Sequence, residues 1–163
     1  MLATEAIMRK LANHFNEDEE IWGLAGLLHD LDMEIVDWQA EPAKHAVTSV
    51  GILKDHDVPE VILNAILAHN EYTGKSRDTL IEKCIFSTDP MTGLIVASTL
   101  VLPDKKLSSL QPQSIVRRFK EKSFAAGANR ATIVACEDFG MNLDDFAQLS
   151  LVAMQEIADD LGL

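Results

Sequence analysis

A chain of 163 residues with 47% apolar and 25% charged side chains has the size and composition of one globular domain with a core of its own. A formal net charge of −12 argues against broad nucleic-acid binding and against attraction to an anionic membrane surface.

The apolar period is helical almost throughout. Ile7 and Leu11 stripe a first helix ending near Phe15, and the acidic NEDEE follows. A second helix, from about Glu19 to Leu31, is apolar on most sides through Trp22, Leu24, Ala25, Leu27 and Leu28, which marks it as central. Pro42 suits the first turn of a third helix running to about Asp55. HDVPE breaks that helix, and Pro59 starts a fourth reaching AHNEY, followed by the loop TGKSRD. A fifth helix runs from near Asp78 to about Val101, kinked at Pro90 and closed by Pro103. Three more follow: about 112–122, then Asn129 to Phe139 with Gly140 as the stop, then Asn142 to Leu161. The last is amphipathic, with Phe146, Leu149, Ala153 and Ile157 on one face. No Asn-Gly hairpin, sustained alternation or internal repeat breaks the series. The expected fold is therefore all-α, a single domain of about eight helices over residues 1–163.

The opening MLATEAIMRK carries Glu5 and no unbroken apolar run, so it does not read as a signal peptide. No later run is long and clean enough to span a bilayer. Cys84 and Cys136 lack CxxC or zinc-ribbon spacing and read as reduced core thiols. These features together point to the cytoplasm.

The stretch GLAGLLHDLDME, residues 23–34, drives an apolar segment into His29, Asp30, Asp32 and Glu34. A carboxylate buried there needs a hydrogen bond, a catalytic task or a metal ion. Imidazole and carboxylate together suit zinc, manganese, iron and related ions. Adjacent helix positions leave the axis about 100° apart, so His29 and Asp30 meet one ion only if neighbouring helices complete the shell. Three other positions fit. His69 continues the buried phase of Ile62 and Ile66, His45 shares a mixed face with Ser49 and Ile52, and Asp89 sits between the apolar arms of CIFSTDPMTGLIVAS. Taken singly, each has a plainer reading. A lone His on an apolar face is more often a hydrogen-bonded core residue than a ligand, and Asp89 before Pro90 suits an N-cap. His56, in KDHDVPE, reads as a solvated surface residue.

The combination is more specific. LLHDLD, then AILAHNE, then STDPMTGLIVAS resembles the HD-domain superfamily of metal-dependent phosphohydrolases, most closely its small bacterial HDIG-type members. The likeness extends over nearly the whole chain, including the segment from Pro103 to Gly127. It implies a helical bundle with the metal-site helices in residues 1–102 and further helices, 103–163, packed on them. It implies that His29, Asp30 and Asp89 hold a first ion, with His45 and His69 as the extra histidines that serve a second. The ions implied are one or two of Mn, Zn, Fe, Co or Ni. The glycine expected from the HDIG subgroup is replaced, since this chain reads HDLD; Asp32 is then open to a proton-transfer role beside Asp30, to a partnering role behind the ligands, or to plain solvation.

The resemblance also calls for a histidine upstream of the HD pair, and His14 is the only one present. In an antiparallel pair of helices hinged at NEDEE, residue 29 falls opposite about residue 6 and His14 opposite about residue 21, ~12 Å from the site. The inward face of helix one, Leu11, Ile7 and Thr4, extends backwards to the position before Met1, where the expected ligand would fall in relatives that continue upstream.

Half of the fourteen Lys and Arg residues lie between Lys105 and Arg130, with Glu121 the only acid among them. Most belong to the solvated face of an amphipathic helix with Ile115, Val116 and Phe119 inward; Lys120 and Lys122 are the candidates for contact with a substrate phosphate.

The leading expectation is hydrolysis of a phosphate ester of a small molecule, with nucleotides among the candidates, by a metal-activated water with Asp30 and Asp32 as catalytic carboxylates. Two alternatives stay open: a di-iron oxygenase of the same superfamily, which the histidine-rich set would suit, and a degenerate HD domain that binds a ligand or a partner protein. No nucleic acid or membrane is expected as a partner, and a homo-oligomer is left open.

Overall fold

The computed structural model describes residues 1–163, and every regular element in it is helical. In chain order these are α1 Leu2–Phe15, α2 Glu19–Leu28, α3 Val47–Leu53, α4 Glu60–His69, α5 Leu80–Leu100, α6 Pro112–Phe119, α7 Arg130–Val134, α8 Leu143–Glu156 and α9 Ala158–Leu161. Short 3-10 turns cover Glu71–Thr73, Leu107–Ser109 and Ala135–Phe139. None of the helices is long and apolar enough to cross a membrane.

The helix ends follow local chemistry. Asn16 closes α1 in the left-handed conformation, and Asp18 opens α2 by accepting from the amides of Glu20 and Ile21. Thr79 and Glu82 form a capping box at the start of α5, and Gly140, at φ 82°, ends the turn after α7. The last predicted helix divides at Ile157 into α8 and α9, so nine helices stand where about eight were expected.

α1 and α2 pack as an antiparallel pair. A side chain at Gly26 would place its Cβ 2.8 Å from the Glu5 Cα and 2.9 Å from the Thr4 carbonyl carbon, so only glycine permits this approach. That contact sets the register. Residue 29 therefore faces the start of α1 rather than residue 6, the pairing expected from loop length alone. The central helix is also different from the expected one. α5 packs against α1, α2, α4, α6, α7 and α8 and carries buried residues from Ile81 to Thr99, whereas α2 lies mainly between α1 and α4. α5 remains helical through Pro90, and the Thr88, Ser98 and Thr99 hydroxyls donate back to carbonyls one turn earlier. One contiguous apolar core, from Ile7 on α1 to Met154 on α8, joins both parts of the chain, with Cys84 and Cys136 buried in it as free thiols.

Two helices stop short of their predicted length beside the His29–Asp30 segment of the sequence. α2 ends at Leu28, and α3 begins at Val47 rather than at Pro42. The reason is an exchange of backbone partners. The Asn70 side chain donates to the Pro42 and His45 carbonyls, at 2.8 and 2.9 Å, and the Ser49 amide donates to Asp32 Oδ2 at 3.1 Å. The His45 carbonyl and Ser49 amide would bond each other in a continuous helix. Between them Ala46, fully buried, takes φ 69° and ψ −39°, a strained backbone for a residue with a Cβ.

Candidate metal centre

The interruption of α2 and α3 aims histidines from three separate elements at one carboxylate. His29 follows α2, His45 precedes α3, and His69 is the last residue of α4. The His69 ring stands edge-on to both others, with centroids 4.9 Å from each. Asp30 lies among them. Its Oδ2 is 3.2 Å from His29 Nε2, while its Oδ1 is 3.3 Å from His45 Nε2 and 3.6 Å from His69 Nε2. Asp89, from the middle of α5, brings Oδ1 to 3.4 Å from His29 Nε2. The His45 and His69 Nε2 atoms are 3.0 Å apart.

The other ring nitrogens decide what these contacts mean. His29 Nδ1 donates to the Gly26 carbonyl at 2.7 Å, His69 Nδ1 to the Ile66 carbonyl at 2.5 Å, and His45 Nδ1 to Asp32 Oδ1 at 2.8 Å. Each neutral imidazole therefore carries its hydrogen on Nδ1 and turns a bare Nε2 lone pair toward Asp30. Three lone pairs and two carboxylates then converge with no hydrogen between them. Such a set is satisfied by added protons or by a cation. In the absence of a metal, protons serve. Burial opposes a charge on His29, but hydrogen bonds with Asp30 and Asp89 overcome it and raise its pKa to about 9. His45 is raised by its hydrogen bond to Asp30 against the pull of burial, and Asp30 and Asp89 are lowered by the histidines they face although burial works the other way.

The donor set fits a metal ion. Nitrogen and oxygen ligands of this kind suit Mn, Zn, Fe, Co or Ni, and ring orientation by carbonyl or carboxylate partners is how metal-binding imidazoles are held. The ligand atoms of His29, Asp30 and His69 lie within 4.8 Å of one another.

Asp32, expected as a catalytic group beside Asp30, is placed behind the centre. It is fully buried, accepts from His45 Nδ1 and the Ser49 amide, and contributes nothing to the pocket wall. The Ser49 hydroxyl completes the brace by accepting from the Asp32 amide at 3.1 Å and donating to the His29 carbonyl at 3.4 Å. Ser49 and Asn70 were not singled out as site residues from the sequence. Their identity as ordinary polar residues in helical segments carries no signal of a contact 17 or 25 positions away.

The centre forms the floor of an open pocket of about 360 Å³. Asp30, His45, His69 and Asp89 reach it, as does Glu71 from the turn after α4, while Met33, Trp38, Tyr72 and Phe86 make up much of its wall. Lys120 and Lys122 do not line it; both are exposed on the segment after α6. That segment is wrapped around Arg130. The guanidinium donates to the Ala125 and Ala128 carbonyls at 2.6 Å each, to Phe119 at 3.3 Å, to Glu121 at 3.4 Å, and to the Phe124 carbonyl as well. What it presents to the pocket is Gly127 and Asn129. His14 is exposed at the C-terminal end of α1, away from this end of the helix pair, and His56 is exposed after α3.

The HD domain family profile matches residues 1–91, more than half of the chain. The chain belongs to the HD-domain family. Every residue of the centre, from His29 to Asp89, falls within the matched part of this HD domain, whereas Gly127, Asn129 and Thr132 of the pocket lining and all of α6 to α9 lie beyond it. No curated protein and no solved structure matches the chain.

Proposed function

We propose that this HD-domain protein is a metal-dependent phosphohydrolase that acts on a small-molecule phosphate ester. The observation that carries the reading is the convergence of Asp30, His45, His69 and Asp89 on the floor of an open pocket with His29 buried just behind it, each imidazole oriented from behind so that Nε2 faces Asp30. A divalent transition metal held by these residues would polarise a phosphoryl oxygen and make water more acidic. Asp30 divides its two oxygens between His29 on one side and His45 with His69 on the other, an arrangement suited to one ion or two.

The chain's own groups do the rest. Asp32 and the Gly26 and Ile66 carbonyls hold the rings in place. Proton transfer falls to the carboxylates that line the pocket. Asp89 engages His29 through Oδ1 alone and has a side chain 44% exposed, and the Glu71 carboxylate, on the pocket lining, makes no hydrogen bond or ion pair within the chain. Both are better placed than Asp32 to take a proton from the attacking water or return one to the leaving oxygen.

The test is metal analysis of the purified protein followed by phosphate release from a panel of monoesters and diesters. His29→Ala and Asp89→Ala are expected to lose metal and activity together, while Lys122→Ala keeps both. Full activity in either of the first two variants would sink the reading. The convergence of both His45 and His69 also suits an iron-dependent oxygenase, and oxygen consumption by the Fe(II)-loaded protein without phosphate release would replace the phosphohydrolase reading with that one.

A further inference from the structure

The pocket above the centre has one-sided chemistry. One side of its wall is apolar and largely aromatic, with Met33 and Trp38 from the turns after α2, Tyr72 from the turn after α4, and Phe86 from α5, while Asn129 and Thr132 face it as uncharged polar groups. Trp38 remains 48% exposed and Tyr72 61% exposed. Large aromatic surface left in water beside a concave site is the usual mark of a ligand contact rather than of packing.

Cations are missing from the same surface. Asp30, Glu71 and Asp89 bring three carboxylates, and no lysine or arginine lines the pocket. Arg77, which touches the same Phe86, is engaged elsewhere. Its guanidinium lies over the ring at 3.9 Å from the centroid, donates to the Ala68 carbonyl, and lines a separate hollow with Lys83 and Asp138. Two divalent ions against three carboxylates would leave a single positive charge, less than one phosphate dianion already supplies. A second phosphate would meet the carboxylates with nothing to offset it.

We propose that the pocket selects a phosphomonoester with one phosphate group and a flat, uncharged body that packs on Trp38 and Tyr72, and that it disfavours polyphosphates and extended polyanions. The proposal rests on the phosphohydrolase reading for the placement of the phosphate at the metal centre. The volume of about 360 Å³ is at the small end for ligand sites and suits an ester built on one ring system.

Three phosphonates, which have no ester bond to hydrolyse, test it: benzylphosphonate, methylphosphonate without the ring, and 4-carboxybenzylphosphonate with the ring and one further negative charge. Each is titrated into the Zn²⁺-loaded protein while tryptophan fluorescence is followed. Trp22 is buried in the core at 3% exposure, so a ligand-dependent change reports Trp38 and should vanish in Trp38→Phe. Benzylphosphonate is expected to bind roughly tenfold more tightly than methylphosphonate, the scale of one aromatic stacking contact. The carboxylated analogue should bind several-fold more weakly than benzylphosphonate. In a Trp38→Ala, Tyr72→Ala double variant, which lacks the reporting tryptophan and is therefore titrated by calorimetry alongside the wild type, the ring should confer no advantage. Both side chains are exposed, so these variants are expected to unfold at the wild-type temperature, which a thermal melt checks.

Equal affinity for the benzyl and methyl compounds would overturn the proposal, as would a ring preference that survives the double variant or tightest binding of the carboxylated compound. Failure of the two readings is separable. Ester hydrolysis without ring preference removes this inference and leaves the phosphohydrolase standing. Ring-selective phosphonate binding without hydrolysis of any ester does the reverse.

Discussion

Replacing Asp32 by Asn is the sharpest test of how the centre is held. The substitution keeps the shape of a fully buried side chain and removes only its charge and one acceptor. In the native protein both carboxylate oxygens accept: Oδ1 from His45 Nδ1 at 2.8 Å and Oδ2 from the Ser49 amide at 3.1 Å. An amide has one oxygen for these two donors. If the oxygen stays on His45, the amide nitrogen meets the Ser49 N–H and two buried donors face each other, at a cost of about 1–3 kcal/mol. If it turns to Ser49, its NH₂ faces His45 Nδ1 and drives the ring's hydrogen to Nε2, which removes the lone pair aimed at Asp30. Either way metal affinity should fall, by roughly 10–100-fold for the loss of an orienting partner. Chelator competition measures the affinity, and nitrogen-15 NMR of the histidine side chains reads the tautomer of His45. A catalytic role for Asp32 would instead leave affinity intact and lower only turnover. Wild-type metal affinity, stability and tautomer in Asp32→Asn would refute the reasoning.

Further outcomes follow from the same geometry. Asn70→Ala should lose about 1–3 kcal/mol because it strands the Pro42 and His45 carbonyls in a partly buried setting, and the amides of residues 43–46 should exchange faster with deuterium. Gly26→Ala forces a Cβ into the Glu5 backbone and should cost about 1–3 kcal/mol in a denaturant melt, whereas Gly51→Ala, in α3 with open space around it, should gain about 0.5–1 kcal/mol. The reverse order of these two glycine variants would show that α1 and α2 do not pack in this register. The pH dependence of the metal-free protein has a definite sign. His29 titrates near 6.5 when unfolded and near 9 when folded, so its contribution is fully present below about pH 6.5 and is lost as pH rises through 9. A thermal melt of the chelator-treated protein should therefore show a falling midpoint across that window, and a flat profile would show that His29 is not held by Asp30 and Asp89.

Much of the centre was legible because its residue types are rare in apolar helices. His29 and Asp30 at the end of GLAGLLHD, His69 in phase with Ile62 and Ile66, and Asp89 between apolar arms each conflict with the local pattern, and the conflicts add up to a cluster of the kind that could hold a metal ion. The helices themselves were legible too, since capping groups and a 3.6-residue apolar period act over a few positions. Lys120 and Lys122 show where that reasoning stops. Their charge marked them for a phosphate, but the direction in which they face depends on Arg130 drawing the carbonyls of residues 119–128 around itself.

Sequence alone was enough to determine an all-α chain, its helix order and the residue types available to a metal, because each of these follows from short-range periodicity and chemistry. Tertiary structure decided the register of α1 on α2, the late start of α3, the place of Asp32 behind His45 rather than in the pocket, and the aromatic side of a pocket that no lysine or arginine lines. In the case of α3 the physical reason is direct. A backbone group takes whichever partner the fold supplies, and Asn70 and Asp32 outcompete the bonds that would have continued the helix through His45.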